Sequence, residues 1–190
     1  MKNNILLNPF AILSDKRQTI IGIISLIIGI ALIYIFQIQI EIIGLHIAEN
    51  LKLQNASINQ LIIVCLLTLA FFCIGKIINK KTRIIDILNT ILLAFIPIYI
   101  STFINFNGYM DEQNNKIYEA FINNNVNEIK LPFLFLVISV FMILMIVYYF
   151  YLLFIGFKTA TNSKKAWHYV LFFATLIIID LLTSYIINYI

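Results

Sequence analysis

Residues 131–190 decide the fold, and they read LPFLFLVISV FMILMIVYYF YLLFIGFKTA TNSKKAWHYV LFFATLIIID LLTSYIINYI. Two apolar runs, residues 132–157 and 167–190, flank the short basic connection KTATNSKK at residues 158–165. About 20 apolar residues in a helix are enough to cross the ~30 Å hydrocarbon core of a bilayer. The pattern therefore predicts two transmembrane helices that fold back on each other through a basic turn.

The composition excludes a soluble globular protein. The 190 residues are 62% hydrophobic and 12% charged, whereas a soluble domain is about half apolar and about a quarter charged. Lipid must cover the surplus apolar surface, so we expect one all-α integral membrane domain over residues 1–190, with the lipid bilayer as a partner. The net charge of +4 comes from basic residues beside apolar runs. That placement is typical of topology signals and argues against nucleic acid as a partner.

Three further apolar runs complete a predicted five-helix transmembrane bundle. They are residues 20–36, 61–78 and 84–104. Gly22, Ser25 and Gly29 place small residues along one side of the first run, where another helix can approach closely. Pro97 lies inside the third run. A proline there removes one backbone hydrogen bond and crowds the preceding turn, which predicts a kink.

Two polar segments separate these runs. Residues 38–58 begin with strand-like alternation, but an open strand edge is not tolerated in lipid. We therefore predict a segment on the membrane surface that is helical from about residue 42 to residue 53. Residues 105–130 form a predicted outer loop, with a short helix over about residues 114–126. Before the first run, Pro9 suits a first helical turn and predicts a short interfacial helix.

The distribution of Lys and Arg predicts the orientation. Ten of the thirteen basic residues lie on the side of the N-terminus, and only Lys52, Lys116 and Lys130 lie on the other. Because cytoplasmic loops carry the excess of basic residues, we expect a cytoplasmic N-terminus and a C-terminus outside. The richness in Ile, Asn and Lys is typical of an AT-rich bacterial genome, so we expect a bacterial protein of the cytoplasmic (inner) membrane. Basic residues beside the membrane also attract anionic lipid. The expected lipid contacts are Lys80, Lys81, Arg83, Lys164 and Lys165.

Asp180 is the sharpest candidate for a functional side chain. It lies thirteen residues beyond Trp167, hence ~20 Å from the cytoplasmic end of the last helix. A charged Asp at a helix centre costs about 2.5–3.5 kcal/mol on insertion scales, so it should face the bundle. The expected partners at this depth are Thr68 and the Leu93 carbonyl that Pro97 leaves unpaired. An intramembrane acid can be a proton or ion site or a structural clamp between helices, and a single acid favours the clamp.

Other polar residues support packing rather than catalysis. Asn89 lies within the third run and is positioned to hydrogen-bond across helices. The chain has no HExxH, GxSxG or P-loop motif, and its two histidines, His46 and His168, lie at opposite faces of the membrane. We therefore expect no enzymatic activity, no metal site and no cofactor.

The layout resembles the Yip-domain family of five-span membrane proteins. The resemblance is carried by YYFYLLFIGFK at residues 148–158, SKKA at residues 163–166, Asn8-Pro9-Phe10 before the first span, and Pro97. The resemblance implies a family whose eukaryotic members act in vesicle traffic by contacting small GTPases and each other. This chain looks like a bacterial-type member, for which the resemblance implies the fold but neither an activity nor catalytic residues.

Two functions remain open at this point. The first is a membrane scaffold or assembly partner that contacts other membrane proteins, or itself, through helix packing and the outer loop. The second is a small transporter or channel built around Asp180, Pro97 and Thr68. The first predicts that Asp180 is sealed by packing, and the second predicts a water-accessible path to it.

Overall fold

Five helices of the computed structural model are long and apolar enough to cross a membrane, which confirms the predicted all-α bundle. The structure describes residues 5–48, 50–123 and 131–187. Its elements are α1 (Pro9–Ile12), α2 (Asp15–Phe36), β1 (Ile38–Ile40), β2 (Leu45–Ile47), α3 (Leu53–Ile78), α4 (Ile84–Ala94), α5 (Ile96–Ser101), a 3₁₀ segment (Thr102–Gly108), α6 (Tyr109–Ile122), α7 (Phe133–Thr161) and α8 (Ala166–Ile187).

The third span, formed by α4 and α5, is the centre of the bundle. In its most apolar stretch 78% of the residues are buried within the protein, compared with 6% in α7. α2, α3 and α7 all pack on α4, and α2 and α7 also pack on α5. The middle of the chain therefore forms the core, and most of α7 faces lipid.

The small residues of α2 allow its close approach to this core. A Cβ atom added to Gly22 would lie 2.7 Å from Leu92 Cβ, and one added to Gly29 would lie 2.5 Å from the ring of Tyr99. Between these glycines, the Ser25 hydroxyl donates to the Gly22 carbonyl at 2.8 Å. The predicted small-residue face is thus in contact with another helix of the same chain.

The third span is interrupted where Pro97 predicts a kink. α4 ends at Ala94, Phe95 forms a turn, and α5 begins at Ile96 with Pro97 in its first turn. Beyond α5, the turn at Asn107 and Gly108 has φ values of 53° and 72°. This turn leads into α6, which begins five residues before the predicted start at residue 114. The predicted end, at about residue 126, lies within residues 124–130, which are outside the described residues.

The prediction of a surface helix over residues 42–53 is wrong. β1 and β2 form an antiparallel hairpin in which Ile38 pairs with Ile47 and Ile40 with Leu45. Ile38, Ile40 and Ile42 are buried against the helices. Irregular or extended backbone is tolerated at membrane depth when protein covers it, and the alternating isoleucines supply the apolar face that packs into the bundle.

The helix after the hairpin begins earlier than the sequence predicts. α3 starts at Leu53 rather than at residue 61. The added two turns include Asn59 and Gln60, which are polar but buried. Because these side chains are polar, the apolar run used for the prediction begins only after them. In the structure they are buried by packing within the protein, and the helix includes them.

The final two helices diverge after their turn instead of packing along each other. Near the turn, the ring of Phe157 lies 5.2 Å from those of Phe71 and Phe172, which joins α7, α3 and α8. Farther along, α7 packs on α5, while α8 packs mainly on α3. The expectation that these two spans fold back on each other therefore holds only near residues 158–165.

Candidate functional site

The carboxylate of Asp180 binds the backbone of the hairpin. Its Oδ1 accepts a hydrogen bond from the Ile43 backbone N–H at 3.1 Å. This amide lies in the turn between β1 and β2, where the Glu41 N–H also donates to the Gly44 carbonyl at 2.9 Å. Asp180 therefore joins α8 to the tip of the inserted hairpin, instead of bonding to Thr68 or to the Leu93 carbonyl as expected.

Several hydroxyl side chains are buried in the interior of the bundle. Gln60 Nε2 donates to Tyr99 Oη at 2.9 Å. Tyr99 and Tyr149 both pack against Phe95, with ring centroids 5.8 and 5.2 Å from that of Phe95. The Tyr149 and Thr68 hydroxyls are buried and have no hydrogen-bond partner among the described residues. The expected Asp180–Thr68 pair is thus absent from the described contacts.

Pro97 faces surroundings different from those of Asp180. It lines an apolar cavity of about 400 Å³ together with Leu93, Ile100, Met145 and Leu152. Asp180 does not line this cavity. The structure therefore does not bring Pro97 and Asp180 together into one site.

Asn89 bridges α4 and α2 near the end that carries the basic turns. Its Oδ1 accepts from the Thr19 hydroxyl at 2.9 Å, and its Nδ2 donates to the Asp15 carbonyl at 3.4 Å. The side chain is buried. Both of its polar atoms are thus engaged in holding the two helices together.

Arg83 is bound by two carboxylates of the protein. Its Nε and Nη2 donate to Asp86 at 2.9 and 2.6 Å, and Nη2 donates to Asp15 Oδ2 at 2.8 Å. These hydrogen bonds and the two negative charges raise the pKa of Arg83 above its ordinary value, Asp86 having the larger effect. Arg83 differs in this respect from the other predicted lipid contacts.

The two basic turns lie side by side. A Cβ atom on Gly75 would lie 3.0 Å from the Thr82 methyl and 3.2 Å from the Thr161 methyl, so the ends of α3 and α7 and the start of α4 meet here. The remaining predicted lipid contacts are exposed at this end of the bundle: Lys80, Lys81, Lys164 and Lys165.

The N-terminal segment crosses the bundle at the same end. α1 begins at Pro9, as predicted, and Asn8 caps it by accepting from the Ala11 N–H at 3.2 Å. The Tyr148 hydroxyl donates to the Leu6 carbonyl at 2.7 Å, and the Tyr151 hydroxyl donates to the Leu7 carbonyl at 2.9 Å. These two tyrosines thus attach the N-terminal segment to α7.

A polar cavity of about 210 Å³ lies beneath α1. Its lining includes Arg83, Asp86, Thr90, Thr159 and Gly156. Sequence reasoning missed Thr90, Thr159 and Gly156 as site residues because single hydroxyls and glycines in apolar helices carry no spacing motif. Only their positions could have indicated a shared depth, because all three lie within about two turns of the start of α4 or of the end of α7.

No protein-family model matches this chain. No curated protein and no solved structure matches it either. Its function is therefore inferred from its own geometry.

Proposed function

We propose that this chain is a non-enzymatic membrane protein that acts as a scaffold or assembly partner, with the layout of a bacterial-type Yip-domain protein. The observation that carries the proposal is the engagement of Asp180 by the hairpin amide of Ile43 at 3.1 Å. A carboxylate that accepts a backbone hydrogen bond holds two elements in place, which is the role of a clamp. Exposed apolar side chains on α2 and α7 leave a large surface for lipid and for partner helices.

The proposed orientation places the basic turns on the cytoplasmic side of a bacterial inner membrane. The start of α2 and both basic turns lie at one end of the bundle, and Lys116 of α6 belongs to the segment beyond the opposite end. The positive-inside rule then predicts a cytoplasmic N-terminus and an external C-terminus. An alkaline phosphatase fusion after Ile190 should be active and one at Lys164 inactive, and the reverse pattern would overturn the orientation.

A small transporter or channel is the second candidate. The observation in its favour is that two hydroxyls, those of Tyr149 and Thr68, are buried in the helices without a hydrogen-bond partner among the described residues. Intramembrane ionisable groups often mark ion or proton pathways. In this alternative, these hydroxyls would bind water or an ion on its way to Asp180.

Water access to Asp180 separates the two candidates. We would replace the exposed Cys65 and Cys73 by serine, introduce Asp180→Cys, and measure its modification by a membrane-impermeant thiol reagent in both inside-out and right-side-out vesicles, Lys164 being accessible in the inside-out ones. A cysteine at Lys164 is the matched accessible control. The scaffold predicts modification at Lys164→Cys only, whereas rapid modification of both positions would favour the transporter.

A flux assay provides the complementary test. Purified wild-type protein and the Asp180→Asn variant would be reconstituted in liposomes that contain a pH-sensitive dye. The scaffold predicts no proton flux above that of empty liposomes in either case. Proton flux in wild type that disappears in Asp180→Asn would refute the scaffold proposal.

A further inference from the structure

A groove runs between α2 and α7 on the surface of the central span. Both helices pack on α4 and α5 but make little contact with each other. The groove therefore has α4 and α5 as its floor and α2 and α7 as its walls. The groove contains two cavities, one polar and one apolar, and each is lined by this floor and by both walls.

The polar end contains charges of both signs. Arg83, Asp15 and Asp86 line the cavity of about 210 Å³, so one cation and two anions surround it. Among the described contacts, Arg83 uses Nε and Nη2, which leaves Nη1 available. Asp15 likewise uses only Oδ2 of its carboxylate in those contacts. The site thus offers donors for an anionic group beside acceptors for a cationic group.

The apolar end contains almost no polar surface. The cavity of about 400 Å³ is lined by Ile21 of α2, Leu93 and Ile100 of the central span, and Met145 and Leu152 of α7. Its volume is within the ~300–1,000 Å³ range of small-molecule sites. The helix break before Pro97 contributes Pro97 itself to this lining. Only an apolar ligand or chain matches such a surface.

The distance between the two ends matches one leaflet of a bilayer. Asp86 and Pro97 are eleven residues apart along the central span, which corresponds to ~16 Å at ~1.5 Å per residue. Half of a ~30 Å hydrocarbon core is ~15 Å. A molecule with its polar group at Asp86 therefore places its chain beside Pro97.

The α1 segment lies over the boundary between the two ends. Phe10 lines the polar cavity, while Pro9 and Leu13 line the apolar cavity. Gln18 Nε2 holds this segment by donating to the Leu13 carbonyl at 2.8 Å and to the Phe10 carbonyl at 3.2 Å. With the two tyrosine hydroxyls of α7, these bonds fasten α1 across the groove as a strap.

We propose that this groove binds one phospholipid of the leaflet next to the basic turns, with phosphatidylethanolamine preferred. The phosphate binds at Arg83, the ammonium group binds at Asp15 and Asp86, and one acyl chain occupies the apolar cavity beneath α1. Charge complementarity selects the amine headgroup, because an anionic lipid such as phosphatidylglycerol would add negative charge beside two carboxylates. The proposal requires membrane insertion but is independent of the scaffold function.

Native mass spectrometry of the full chain in detergent tests the headgroup site. After titration with phosphatidylethanolamine or phosphatidylglycerol, the wild type should retain phosphatidylethanolamine preferentially. Arg83→Gln should weaken that binding about tenfold, the size expected for a lost hydrogen bond to a charged group. Lys80→Gln is the matched control, since Lys80 is exposed in the same turn and lies outside the groove. Equal loss in both variants, or preference for phosphatidylglycerol, would overturn the proposal.

A second pair of variants tests the chain site without changing charge. Ile100→Trp fills the apolar cavity, and Ile27→Trp places the same side chain at an exposed position of α2. Size-exclusion profiles would confirm that both variants remain folded. Retained phosphatidylethanolamine should fall in Ile100→Trp and stay at the wild-type level in Ile27→Trp. Unchanged retention in a folded Ile100→Trp protein would show that no chain occupies the cavity.

Discussion

Replacing Gly29 by alanine should destabilise the bundle through a single methyl group. The added Cβ would lie 2.5 Å from Cγ and Cδ1 of the Tyr99 ring. Carbon atoms in good contact are about 3.5–4.0 Å apart, so the ring or the helix must move by about 1 Å or more. Tyr99 cannot turn away freely, because it is 3% exposed and its hydroxyl accepts from Gln60 at 2.9 Å.

The expected loss of stability follows from two opposing effects. Overpacking a filled core costs about 1–3 kcal/mol, and the close approach at Gly29 indicates the upper part of that range. Alanine gains about 1 kcal/mol over glycine in a helix interior. We therefore expect Gly29→Ala to lower the free energy of unfolding by about 1–2 kcal/mol.

The assay is SDS-induced unfolding in mixed micelles, followed by circular dichroism. Gly44→Ala is the matched control, since the nearest atom to its added Cβ lies 3.9 Å away, and its effect should stay within about 0.5 kcal/mol. The same Gly29→Ala change in a Tyr99→Ala background should cost less, because the colliding ring is gone. Equal stability of Gly29→Ala and wild type, or an identical cost in both backgrounds, would refute the packing argument.

Three further substitutions address polar side chains, of which Thr68 is buried and Asp180 and Gln37 are half-buried, each measured by the same unfolding titration. Asp180→Leu should destabilise by about 1 kcal/mol because the partly exposed Ile43 N–H loses its side-chain acceptor, whereas Asp180→Asn keeps an acceptor oxygen and should cost less. Thr68→Val should raise stability by about 1 kcal/mol, since it removes a buried hydroxyl that lacks a described partner; a loss would reveal a partner. Gln37→Leu should cost about 2 kcal/mol because its side chain exchanges two hydrogen bonds with the backbone of Leu51, of 2.7 and 3.2 Å.

The membrane spans could be predicted because hydropathy depends on local sequence alone. An apolar run of sufficient length must be a helix in lipid, whatever it packs against, since its backbone polar groups have no water to bind. Pro97 likewise produces a break wherever the helix lies. The boundary of α3 could not be found in this way, because Asn59 and Gln60 look like loop residues until their burial is known.

The hairpin shows where local reasoning failed. The alternation of Ile38, Ile40 and Ile42 correctly indicated a strand, but the cost of an open edge in lipid argued against it. Protein helices cover the apolar face of the hairpin, and Asp180 binds the amide of its turn. That contact joins residues 137 positions apart, so no local pattern could show it.

The candidate sites divide in the same way. The sequence singled out Asp180, Asn89, Pro97 and the basic turns as individual residues of unusual chemistry or position. It did not show that Arg83 would be bound by Asp15 and Asp86, or that Pro97 would line an apolar cavity apart from Asp180.

By itself, the sequence determined that the chain enters a membrane through five apolar helices, because burial in lipid requires only length and hydrophobicity. Residues 131–190 were sufficient to identify a membrane protein, but they do not form the core of the bundle. The tertiary structure alone decided that α4 and α5 take the centre, since this depends on which helix offers small residues and matching surfaces to the others. Close contacts such as Gly29 with Tyr99 join residues far apart in sequence, and their complementarity exists only after the helices have packed.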